Sequence, residues 1–169
     1  MTVPSTPRTV ADVFALAIEI EMKAARLYET LADLFAHEPA IAKFWGDLKN
    51  DEADHAAVLR RAVAELSSDT VSSNADQTIW NKLVEMSRRI DSCSPDDFKT
   101  LEDAYEIAHE LEYSEVNGIF DLLASGLTSA ETKVELVDVN IARHQNKLID
   151  FTRSFGGRAW RQTILAKTR

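Results

Sequence analysis

Four segments of this 169-residue chain carry apolar residues at alternating steps of three and four, and none of its four prolines falls inside them beyond a first turn. That spacing lines apolar residues along one face of an α-helix. A helix cannot run through an interior proline without losing a hydrogen bond and kinking. The pattern predicts four long amphipathic helices, over about residues 10–36, 39–66, 95–125 and 129–155. Each would be roughly 40 Å long at the helical rise per residue. With five glycines and much Ala, Leu and Glu, little in the composition competes with helix.

The first face reads Phe14, Ile18, Glu21, Ala25, Tyr28, Ala32 and Phe35, with Thr9 and Asp12 as a capping pair. The second reads Ile41, Trp45, Leu48, Glu52, His55, Leu59 and Ala62, with Pro39 in the first turn. The third reads Leu101, Tyr105, Ala108, Glu112, Glu115, Ile119 and Leu122, and Ser94, Pro95 and Asp97 suit its start. The fourth reads Val134, Val137, Ile141, His144, Leu148 and Phe151, opened by Thr128 with Glu131 and closed by Gly156 and Gly157.

Short links around His37–Glu38 and Gly126–Thr128 make each flanking pair an antiparallel hairpin. Residues 67–94 form a longer crossover. Its first part, Ser67 to Gln77, is polar and reads as loop. Its second reads as a short helix with Ile79, Leu83, Met86 and Ile90 on one side. Hairpin, long crossover, hairpin is the connectivity of ferritin-like four-helix bundles. The expected fold is therefore all-α, with residues 1–155 as one bundle domain and 156–169 as a basic C-terminal tail carrying Arg158, Arg161, Lys167 and Arg169. The halves also resemble a repeat, Ala17-Ile18-Glu19-Ile20-Glu21 against Ala108-His109-Glu110-Leu111-Glu112.

Six polar residues interrupt the apolar faces near mid-helix: Glu21, Glu52, His55, Glu112, Glu115 and His144. Burying a carboxylate costs several kcal/mol unless it is paired or bound to a cation, so one such residue per helix implies convergence on one point. Glu52 and His55 stand three apart and leave their helix on one side, as do Glu112 and Glu115. Di-iron carboxylate bundles take one Glu from each of two helices and Glu-x-x-His from each of the other two. Four ionised carboxylates would be balanced by two divalent cations.

Glu21 with Tyr28 seven residues on, Glu52-x-x-His55 and Glu112-x-x-Glu115, in this order, resemble the helix motifs of the rubrerythrin family of ferritin-like proteins. The resemblance spans residues from about 10 to 155. It implies a non-haem iron site with Glu52 bridging, Glu21 and Glu112 as terminal ligands, His55 and His144 supplying nitrogens, and Glu115 as a mobile ligand. It implies reduction of hydrogen peroxide or dioxygen by a homodimer. The chain departs from the family twice. The fourth helix should carry a second Glu-x-x-His, and Ile141 stands where that Glu belongs, with Asp138 a distant substitute. Rubrerythrins usually carry a rubredoxin-like centre held by two CxxC pairs, and Cys93 is the one cysteine here. Electrons would then come from an external donor. One or two irons, or another divalent metal, fit what remains.

Tyr28 and Tyr105 flank the expected site and read first as core aromatics, Trp45 as core, and Trp80 as a residue packing the crossover onto the bundle. His109 is an outside candidate near Glu112. The net charge of −9 argues against nucleic acid as a partner. No stretch approaches membrane-spanning length, and the polar start of the chain has no apolar leader, so a cytoplasmic protein is expected. Two functions besides a redox enzyme remain open, favoured by Ile141: a non-catalytic metal binder or sensor, and a helical interaction scaffold with a degenerate site.

Overall fold

The computed structural model describes residues 8–124 and 142–155, with side chains throughout except in 113–124 and 142–145. The chain is all-α and ferritin-like. Its elements are α1 (Val10–Leu34), α2 (Pro39–Ala64), α3 (Ser68–Ser72), α4 (Gln77–Asp91), a 3-10 turn (Pro95–Asp97), α5 (Leu101–Ala124) and α6 (Ala142–Phe155). Among the described residues there is no strand, only an isolated bridge between Thr9 and Asn74. No described helix is long and apolar enough to cross a membrane.

The capping box at α1 forms as expected: Thr9 Oγ1 accepts from the Asp12 backbone and Asp12 accepts from the Thr9 backbone. Helix α2 buries every residue of its expected face, from Ile41 through Trp45, Leu48, Glu52, His55 and Leu59 to Ala62. Helix α1 buries a wider stripe than one face. Val13, Ala17, Ile20, Ala24, Leu27 and Leu31 join Phe14, Glu21, Ala25 and Tyr28, while Ile18 and Ala32 are only half-buried. The cause is that α1 packs against both α2 and α4.

The crossover helix runs from Gln77 to Asp91, capped by Asp76, with Ile79, Leu83, Met86 and Ile90 buried. Lys23 of α1 ties it down, bonding Ser87 Oγ at 2.9 Å and Asp91 Oδ2 at 2.7 Å. The stretch read as loop contains a one-turn helix, α3, because Ser67 caps it by accepting from the Thr70 backbone. The third long helix does not start at Pro95. Ser94 and Asp97 do form a capping box, but it closes a single 3-10 turn. A second reciprocal pair, Thr100 with Asp103, opens α5 proper, with backbone-to-side-chain bonds of 2.8 and 3.1 Å.

Only Ala142–Phe155 of the fourth expected helix falls among the described residues, and there Leu148 and Phe151 are buried. Thr128, Glu131, Val134, Val137, Asp138 and Ile141 lie outside them, as do the side chains of Glu115 and His144. Trp80 is half-buried with the Arg8 guanidinium 4.7 Å above its ring.

Candidate metal centre

The α1–α2 hairpin brings Glu21, Glu52 and His55 to one buried point. Their side chains come from mid-helix positions on facing stripes and are 1%, 0% and 6% exposed. His55 Nδ1 lies 3.0 Å from Glu52 Oε2 and 3.3 Å from Glu21 Oε2. One ligand atom from each residue lies within 4.8 Å of those of the other two. The i, i+3 spacing of Glu52 and His55 makes this possible, since both leave α2 on the side that α1 covers.

Electrostatics hold this group together. Burial by itself would depress the His55 pKa. Its hydrogen bonds to the Glu21 and Glu52 carboxylates, reinforced by their negative charges, overcome burial and push it up to about 11. The imidazole therefore keeps a proton between two buried carboxylates. A divalent ion meeting the same donors would displace that proton and take over its charge-balancing role.

Glu112 reaches the interior from α5 and is 2% exposed. It accepts a 2.6 Å hydrogen bond from Tyr28 Oη of α1. Its neighbour Glu110 points outward and pairs with Arg89 of α4. This places Glu112, not Glu110, on the inner face. His109 is half-buried with its ring tilted beside Tyr105 at 5.9 Å. Glu115 and His144 stand on α5 and α6, and their side chains lie outside the described set.

An aromatic layer stands beyond the carboxylates. Tyr28 stacks on Trp45 at 6.0 Å and 15°, and Trp45 meets Phe44 and Phe151. Tyr105 stacks on Phe151 and donates to the Leu148 carbonyl at 3.2 Å. Sequence reasoning did not find the Tyr28–Glu112 bond, nor the Lys147–Asp51 ion pair that ties α6 to α2. Each joins positions far apart in the chain, for which no local pattern exists.

Two carboxylates and an imidazole suit a first-row divalent metal such as iron, manganese or zinc. Bundle core, mid-helix position and donor set together define a ferritin-like protein with a carboxylate–histidine group that could hold a metal ion. The family model for rubrerythrin matches residues 12–139, and the chain belongs to the rubrerythrin family, a ferritin-like di-iron carboxylate family. The match takes in Glu21, Glu52, His55, Glu112 and Glu115 and ends before Ile141 and His144. No curated protein and no solved structure matches the chain.

Proposed function

We propose that this chain is a non-haem iron redox protein that reduces hydrogen peroxide or dioxygen with electrons from a separate donor. The observation that carries the reading is the buried Glu21–Glu52–His55 group. These three residues would hold the metal first, with Glu112, Glu115 and His144 completing the set. Bound iron would supply one-electron chemistry toward the oxidant. The chain supplies the rest: α1 and α2 fix the donors from rigid backbone, burial keeps bulk water away, and Tyr28 orients the Glu112 carboxylate. The family resemblance further supports a cytoplasmic homodimer, with residues 1–155 as the bundle domain.

The test is peroxide consumption by iron-loaded protein supplied with a chemical reductant. Turnover that disappears in a Glu52→Ala/His55→Ala variant supports the reading. Retained iron with no turnover above that variant would leave a metal binder or sensor, the function that Ile141 favours.

A further inference from the structure

A cleft of about 270 Å³ opens between α1, the last turn of α4 and the segment that leads from α4 to α5. At 3.6 residues per turn, its α1 residues Lys23, Arg26, Leu27 and Thr30 centre about half a turn around the helix from Glu21 and Tyr28. The cleft therefore lies on the far side of α1 from the carboxylate–histidine group. Its volume is close to the lower end for small-molecule sites, about 300 Å³.

Two kinds of surface meet there. Leu27, Ile90 and Phe98 line the cleft and are otherwise buried, so they supply an apolar wall. The polar lining is committed to the protein itself, with one exception. Lys23 can donate three hydrogen bonds, and Ser87 Oγ, Asp91 Oδ2 and Glu19 Oε1 lie 2.9, 2.7 and 3.1 Å from its Nζ. Thr30 donates its hydroxyl to the Arg26 carbonyl at 3.0 Å. Cys93 donates its thiol to the Arg89 carbonyl at 3.4 Å, and burial pushes its pKa up, so it adds no negative charge near neutral pH. The exception is Arg26. It is exposed, and among the described residues its guanidinium has neither a hydrogen-bond partner nor an ion pair. Lys23 and Asp91 cancel, so the lining keeps the single positive charge of Arg26.

A guanidinium is a planar fork that meets a carboxylate through two parallel hydrogen bonds. One positive charge matches one negative charge, and the apolar wall favours a hydrocarbon body beside it. A phosphate dianion would find one cation and no other uncommitted side-chain donor in the lining. We propose that this cleft is a binding site for a small organic monocarboxylate with an apolar body, separate from the metal centre. Arg26 takes the carboxylate, and Leu27, Ile90 and Phe98 take the hydrocarbon. The site does not depend on the peroxide chemistry proposed above.

The experiment titrates the isotope-labelled full chain with sodium benzoate into the tens of millimolar, at constant ionic strength, and follows its backbone amides by nuclear magnetic resonance. The expected result is saturable shifts at Leu27, Thr30, Cys93 and Phe98. Affinity should fall at least about fivefold in Arg26→Met and stay unchanged in Arg60→Met, an exposed arginine of α2 outside the cleft. Because Arg26 is exposed and unpaired, its replacement should leave the fold intact, and the spectrum of the free variant checks this. Benzyl alcohol, which keeps the ring without the charge, and acetate, which keeps the charge without the ring, should each bind at least about fivefold more weakly than benzoate. Shifts that never saturate, that fall elsewhere on the chain, or that persist unweakened in Arg26→Met overturn the proposal. Acetate as tight as benzoate would mean an adventitious ion only, and inorganic phosphate tighter than benzoate would overturn the ligand class.

Discussion

Residues 17–21 of α1 and 108–112 of α5 have the same burial, position by position, yet their glutamates end in different company. In both, the alanine, the fourth residue and the final glutamate are buried, the second residue is half-buried, and the middle glutamate faces out. The outward pair does the same work in each half: Glu19 and Glu110 join ion pairs on the side where α4 lies, through Lys23 and Arg89. The inward pair diverges. Glu21 meets Glu52 and His55 from its hairpin mate, whereas Glu112 accepts a bond from Tyr28 of the other hairpin. The lesson is that the repeat fixes where a carboxylate points, and the partner helix decides what it can become. Helix α2 offers Glu-x-x-His. The sequence of the fourth segment offers Ile141 and His144, so it lacks the glutamate that a Glu-x-x-His pair would carry there.

The comparison breaks most visibly at its packing. Trp45 is fully buried between Tyr28, Phe44 and Phe151. Trp45→Ala should cost about 3–5 kcal/mol in a urea melt. A loss near zero would mean that the aromatic layer does not hold the two hairpins together.

Next comes the ligand asymmetry. Removing Glu52 should weaken ferrous or manganous binding by at least about 100-fold, close to 3 kcal/mol, and removing Glu112 by about tenfold. Calorimetric titration of the two Ala variants checks this, and equal losses would make the halves equivalent.

Proton coupling sharpens the same contrast. His55 holds its proton to about pH 11 in the folded protein, against 6.5 ordinarily, with burial opposing and the Glu21 and Glu52 bonds prevailing. One proton leaves for each ion bound, so affinity should rise about tenfold per pH unit between about 7 and 9. Without metal the sign reverses for stability. Between 6.5 and about 11 the folded chain holds a proton that the unfolded chain has lost, so stability falls as pH rises through that window. Binding that ignores pH would place His55 outside the ligand set.

The smallest effect lies at the crossover. Lys23 is mostly buried, but Asp91 is largely exposed, so Lys23→Met should cost under about 1 kcal/mol. Thermal denaturation that shows more would make α4 part of the centre's frame.

Much of this was legible from residue spacing. Helix α2 packs mainly on α1, so its face could be read residue by residue. Helix α1 has neighbours on two sides, and a single-stripe reading caught Glu21 and Tyr28 but not Ala17, Ala24 or Leu31. Around residue 95, two capping boxes follow one another, and the chain uses the first for a 3-10 turn and the second for α5. The donors Glu21, Glu52 and His55 were legible because helical register is local. The Tyr28–Glu112 bond was not, because it joins residues 84 apart.

The most direct test of the central claim is iron content after anaerobic ferrous loading and desalting, in the native chain, in Glu52→Ala/His55→Ala and in Glu112→Ala. A centre founded on the α1–α2 hairpin predicts iron retained by the native chain and by Glu112→Ala, and lost from the double variant. No iron in the native chain, or equal iron in native and double variant, would contradict it.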